Sequence, residues 1–227
     1  MKIGFVTDTT AYLPRELVAK HAIEVVPVKV VISGTALSEG IEVTSEDVAA
    51  AFRAGKPVST SRPSSGEFIA VYQRMVAAGC DEIISVHLSS ALSGTVEAAR
   101  LAVAKTGLPV HVVDSGTIGM AMGNAVCNAA ELALTEQDPE EVIDYLQHQC
   151  QQAKVLFHVS SLDYLRRGGR ISKVQNRIGT ALSLRPILKI ENGEIGIQEL
   201  VRTDDRALQR LIEIALARSG AKNKFAI

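Results

Sequence analysis

The sequence predicts an α/β protein of two domains with a mostly parallel sheet in the first, and three observations carry that reading. Short runs rich in β-branched residues alternate with amphipathic segments, the pattern of a parallel sheet covered by helices. Helix entry and exit signals fall in the gaps between those runs. A Gln-rich helix end then meets a new apolar run near residues 151–155, which sets the domains at 1–153 and 154–227.

Taken in order, strands are predicted at residues 3–7, 25–32, 82–87 and 110–114. A later set is predicted at 155–160, 187–190, 195–200 and 224–227. Thr44 followed by Asp47 opens a helix over 45–53 that Gly55 closes. Ser64 with Glu67 three residues on forms a capping box before Phe68-Ile69-Ala70-Val71-Tyr72, and that helix ends near Gly79. Ser93-Gly94 precedes an Ala- and Val-rich helix running to Thr106-Gly107. Further helices are predicted at 119–134, at 139–152 through Asp138-Pro139, and at 204–219. Asn192-Gly193 between apolar stretches signals a type I′ hairpin.

The composition removes several function classes. The chain has 227 residues, 47% of them hydrophobic but only 4% aromatic, so its core is built from aliphatic side chains. A net charge of -1 with no basic tract leaves no surface for phosphate neutralisation, so no nucleic acid is expected as a partner. No stretch approaches the roughly 18 apolar residues of a membrane span, so no integral membrane segment is expected. The opening Met1-Lys2-Ile3-Gly4-Phe5-Val6 turns polar at Thr7-Asp8 and lacks the apolar core of a signal peptide, so none is expected here. Cys80, Cys127 and Cys150 are far apart and odd in number, and read as reduced thiols of a cytoplasmic protein.

Small hydroxyl residues gather where the predicted strands end: Thr7-Asp8-Thr9-Thr10, Ser59 through Ser65, Ser89 through Thr95, and Asp114-Ser115-Gly116-Thr117. Each cluster alone is explained by capping and turn formation. Together, at the ends of successive strands, they suit an anionic head group, because ligands of open α/β sheets bind there beside helix N-termini. Nucleotide signatures are missing: there is no Gly-x-x-x-x-Gly-Lys-Ser/Thr, and Gly116, Gly119 and Gly123 have the wrong spacing for a dinucleotide fingerprint. Those glycines read instead as a helix start packed closely against the sheet. Ser93, His87 and Asp114 can be written as a triad, yet no Gly-x-Ser-x-Gly elbow surrounds Ser93. His87 within its strand reads as a packed or hydrogen-bonded residue, and the histidines show no metal-ligand spacing. Arg166-Arg167-Gly168-Gly169-Arg170 is the densest basic segment, suited equally to an anion or partner and to a solvated helix end. Arg202, after the 195–200 strand, is a weaker candidate of the same kind.

Read together, these segments resemble the DegV family of bacterial fatty-acid-binding proteins. The matching stretches are Val6-Thr7-Asp8-Thr9-Thr10, Thr60-Ser61-Arg62-Pro63-Ser64, Ser89 through Thr95, Asp114-Ser115, Arg167 through Ser172 and Leu184-Arg185-Pro186-Ile187-Leu188, in order along the whole chain. The resemblance implies a non-enzymatic protein that holds a long-chain fatty acid such as palmitate between its two domains, with no cofactor. It implies a role in carrying or presenting that lipid, including to a fatty acid kinase. It places the carboxylate on Thr60 and Ser93, with Ser61 and the Gly94 backbone N–H beside them, and puts Arg202 and Arg170 near the head group or partner. A serine hydrolase or a phosphotransferase acting on an acyl substrate is the alternative, and a regulatory module with a structural lipid is a third reading. The sequence departs from the family pattern at Arg62, where the family has Gln, and at Gly119 and Ala121. Relatives continue past residue 227 through a Gly-rich segment with a histidine near the ligand head, so the chain is expected to be C-terminally shortened.

Overall fold

In the first strand, β1 (Ile3–Asp8), successive side chains enter two different apolar clusters, so the strand is covered on both faces. A 3-10 turn at Thr9–Ala11 leads into α1 (Arg15–Lys20) and β2 (Glu24–Val26). There follow β3 (Lys29–Ile32), β4 (Thr35–Ser38), α2 (Ser45–Arg53) and β5 (Val58–Ser61). The chain continues through α3 (Ser65–Ala77), β6 (Glu82–His87), α4 (Thr95–Thr106), β7 (Val110–Asp114), α5 (Met120–Leu132) and α6 (Pro139–Gln152). Then come β8 (Leu156–His158), α7 (Asp163–Arg167), β9 (Arg185–Glu191), β10 (Glu194–Val201) and α8 (Asp204–Arg218). This computed structural model describes residues 1–136, 138–171 and 184–218. It divides into two units, Met1–Ala153 and Lys154–Ile227.

In the first unit β2, β1, β6 and β7 form a parallel sheet in that order. On one face Phe5, Ile84 and Val86 pack with Met122, Val126 and Leu146 of α5 and α6. On the other, Val6 and Ile83 pack with Phe68, Tyr72 and Ala99 of α3 and α4. The period-2 alternation of a two-sided strand thus decides which helix each residue meets. The caps follow the sequence signals. Thr44 with Asp47 and Ser64 with Glu67 form complete capping boxes, and Asp138 accepts from the Glu140 N–H ahead of Pro139. Gly123 lies so close to the 3-10 turn that a Cβ there would sit 2.5 Å from the Ala11 carbonyl oxygen. The close packing of this glycine is therefore against that turn and Leu13 rather than against the sheet.

A separate antiparallel sheet, β4-β3-β5, interrupts the parallel layer. Here the structure corrects the prediction of one strand over 25–32. Pro27 has no N–H to give a ladder, and the chain breaks there into β2 of one sheet and β3 of the other. β4, β5 and the short α1 are further elements. Ser33 and Gly34, both at positive φ, turn the β3–β4 hairpin.

The second unit carries the antiparallel sheet β10-β9-β8, with Ala207 of α8 buried against Ile187 and Val201. Asn192 and Gly193 join β9 to β10 with φ of 52° and 78°, the two positive values a type I′ turn requires. The strand predicted at 224–227 and the end of the Arg167–Ser172 motif lie outside the described residues.

Candidate functional site

The strand order β2-β1-β6-β7 places a topological switch between β1 and β6, since the chain leaves β1 towards β2 on one side and resumes the sheet at β6 on the other. Ligands of open parallel sheets bind at the carboxyl ends of the strands flanking such a switch. Three of the hydroxyl clusters meet there and are tied together by backbone bonds. The Ser89 N–H donates to Thr117 O at 2.9 Å, the Ser115 N–H to His87 O at 3.0 Å, and the Gly119 N–H to Thr10 O at 2.9 Å. Asp114 accepts from the Ser90 and Gly116 N–H groups.

The fourth cluster, on β5, joins through Arg62. Its Nη1 donates to the Gly94 carbonyl at 3.2 Å, a link between residues 32 apart in sequence. The segments carrying Thr60-Ser61 and Ser93-Gly94 therefore share one patch. Thr60 and Ser61 are exposed on β5, with Thr60 opposite Val30 of β3. Ser93 is half-buried and its hydroxyl lies 2.9 Å from that of Thr95. Gly94 is the N-cap of α4, which has no side-chain cap, and among the described residues the Gly94 N–H meets no acceptor. A helix N-terminus left open beside two hydroxyl segments offers donors and positive dipole to an anion. Arg170 and Arg202 belong to the second unit. Arg170 ends the turn after α7 and its Nη1 donates to the Gly168 carbonyl; Arg202 is exposed directly after β10.

The structure does not assemble Ser93, His87 and Asp114 into a triad. Both ring nitrogens of the fully buried His87 are engaged elsewhere: Nδ1 lies 3.0 Å from Asp8 Oδ2 and Nε2 lies 2.7 Å from Ser85 Oγ. Ser85 in turn lies 2.8 Å from the Tyr72 hydroxyl, whose pKa burial pushes well above its ordinary value. Asp8 completes the chain by accepting the Leu88 N–H at 3.2 Å and the Thr10 N–H at 3.0 Å. A Ser–His–Asp geometry exists here, yet all three side chains are shut away from solvent, so Ser85 reaches no substrate. Its polar chain supports the loop after β6 from below. The signal was present in the sequence: Ser85 and His87 are two apart in an apolar strand and so share one face.

A cavity of about 530 Å³ opens on the β1–β2 side of the same sheet end. Asp8, Thr9, Tyr12, Glu39, Val43 and Glu46 are among its lining residues, and none of Thr60, Ser61, Ser93 or Gly94 takes part. The Glu39 and Glu46 carboxylates in the wall make it a poor receiver of an anion. Thr9 Oγ1 donates to Glu39, and burial followed by the Glu39 charge raises the Tyr12 phenol.

The cysteines lie outside both places. Cys80, Cys127 and Cys150 are buried and form no disulfide. Burial, with the Asp114 charge adding to it, pushes Cys150 up to about 12, so its thiolate is scarce at neutral pH. Alkylation of the native protein with iodoacetamide at pH 8, followed by intact mass, is expected to add no label within an hour, whereas protein in guanidinium takes up one label per cysteine. Rapid labelling of the native chain would contradict the buried placement. Among the described residues no group of three or more His, Cys, Asp or Glu could hold a metal, and no helix is long and apolar enough to cross a membrane.

The family model described as "Uncharacterised protein, DegV family" matches residues 2–227. The chain belongs to the DegV family. A DegV domain-containing protein of Streptomyces coelicolor is 42% identical over 218 residues, which cover 96% of this chain and 78% of that protein. Among solved structures, a fatty-acid-binding DegV family protein from Thermus thermophilus superposes with a TM-score of 0.87 at 33% identity, covering 96% of this chain and 78% of its own. DegV of Bacillus subtilis, described as a fatty acid binding protein, gives a TM-score of 0.86 at 34% identity, with 95% of this chain and 77% of that one covered. The resemblance carried by the sequence motifs and the fold of the structure thus agree on one family.

Proposed function

We propose that this DegV family member binds a long-chain fatty acid such as palmitate, and that Thr60 and Ser93 hold its carboxylate with Ser61 and the Gly94 N–H. The observation that carries the reading is the joining of the Thr60–Ser61 and Ser93–Gly94 segments across the uncapped start of α4. Fatty acid binding by the Thermus and Bacillus relatives supports the choice of ligand. A carboxylate that accepts hydroxyl bonds and a helix N-terminal amide loses little on leaving water, and each buried CH₂ of its tail adds about 0.8 kcal/mol. The tail is proposed to lie between the two domains, 1–153 and 154–227, as the family resemblance implies. Arg170 and Arg202 are proposed contacts for the head group or for a fatty acid kinase to which the lipid is presented. A cytoplasmic location accords with three buried cysteines that form no disulfide.

A carrier is favoured over a hydrolase because neither ring nitrogen of His87 is open to activate Ser93. The test is solvent extraction of the purified full chain followed by mass spectrometry. Long-chain fatty acid at about one per chain, or its uptake by delipidated protein, is the expected result. Folded protein that neither retains nor takes up fatty acid sinks the proposal. Turnover of an acyl ester that vanishes in Ser93→Ala would favour the hydrolase instead.

A further inference from the structure

We propose that Arg62 is a specificity-determining residue of the head-group site, selecting an ionised lipid head over a neutral one of the same chain length. This inference rests on the fatty-acid reading above and deepens it.

The argument begins with where the guanidinium lies. Arg62 directly follows Thr60 and Ser61 at the end of β5 and reaches across to the start of α4. Its Nη1, Cδ and Cζ sit 2.8, 3.1 and 3.5 Å from the point where a Cβ on Gly94 would be, so the side chain lies across the residue between Ser93 and Thr95. No larger residue fits at Gly94 without moving Arg62. The one carbonyl it bonds occupies a single donor of the five that a guanidinium carries, and a neutral carbonyl leaves the charge uncompensated.

The charge is not claimed by the protein either. Among the described residues no carboxylate lies within ion-pair distance of Arg62, in contrast to Arg74 with Glu24 at 3.0 Å. Glu67, the acid of the neighbouring capping box, is already occupied by the Ser64 N–H and hydroxyl and by Lys29 at 2.6 Å. Hydroxyls and a helix N-terminal amide still donate to a neutral oxygen, at about half the strength they give a charged one. An unpaired guanidinium beside them loses more, because its attraction depends on the full charge of the ligand. The cation therefore supplies discrimination, while the hydroxyls supply position.

The test measures the affinity of the delipidated full chain for hexadecanoic acid and for hexadecan-1-ol, in wild type, Arg62→Gln and Arg62→Lys. Arg62→Gln is expected to weaken the acid about tenfold and to leave the alcohol within about twofold. Arg62→Lys is expected to keep most of the preference, and added salt to erode it in wild type but not in Arg62→Gln. Acid and alcohol falling in parallel would show a mere strut between β5 and α4 and overturn the inference, as would no change in either. A wild-type chain that binds neither lipid overturns the fatty-acid reading and this inference with it, a different result from lost selectivity. Unchanged thermal unfolding of the exposed-site variants confirms that the comparison is between folded proteins.

Discussion

Asp8→Ala is expected to destabilise the first unit by about 3–5 kcal/mol, a large share of the roughly 5–15 kcal/mol that holds a domain together. Asp8 is fully buried, and its two oxygens receive Thr10 from one side and His87 and Leu88 from the other. Truncation leaves the His87 ring nitrogen and the Leu88 N–H without their acceptor, and each stranded group costs about 1–3 kcal/mol. The effect should fade along the chain of bonds. Ser85→Ala strands His87 Nε2 and the Tyr72 hydroxyl, which have some freedom to readjust. Tyr72→Phe removes the terminal hydroxyl only and leaves Ser85 with its histidine, for a loss of about 1 kcal/mol or less. Urea unfolding followed by circular dichroism measures all three. An Asp8→Ala midpoint indistinguishable from wild type, or a larger loss at Tyr72 than at Asp8, would refute the account of a buried chain anchored at the aspartate.

That network also shows where sequence reading succeeds and where it stops. The parallel layer was legible because β1, β6 and β7 are apolar on both faces and the helices between them carry capping boxes at Thr44 and Ser64. β5 was not, because Ser59, Thr60 and Ser61 look like turn formers. They stand in an edge strand paired on one side only, where exposed hydroxyls cost little. The break at Pro27 was legible in principle, since proline cannot serve a central ladder, but the flanking valines read as one continuous run. For the site, the hydroxyl clusters were visible one by one. Taken together they pointed to one anionic site, but the bonds that join them were not legible: the Arg62–Gly94 and Asp8–Leu88 bonds connect residues far apart in the chain, and no local pattern records a partner at that separation. The cavity beside them was missed for the same reason, because its lining residues Thr9, Glu39 and Glu46 come from separate segments.

The double change Thr60→Ala with Ser93→Ala is expected to lower affinity for a long-chain fatty acid by about thirtyfold to several hundredfold. Each lost hydrogen bond to a charged oxygen at a partly solvated site is worth about 1–2 kcal/mol, and about 1.4 kcal/mol is a factor of ten. Stability should hardly change, because Thr60 is exposed on an edge strand and Ser93 bonds only its near neighbours. The two readouts therefore separate, in contrast to Asp8→Ala, where loss of the fold precedes any statement about ligand. Single variants make the reasoning sharper. If both hydroxyls hold one carboxylate, the second deletion should cost less than the first once water has entered, so the double variant falls short of the sum of the singles. Losses that add in full would place the two side chains on different parts of the ligand. Titration of delipidated protein with a fluorescent fatty acid, backed by calorimetry, gives all four affinities. A double variant that binds as tightly as wild type would remove Thr60 and Ser93 from the head-group site, whatever the ligand.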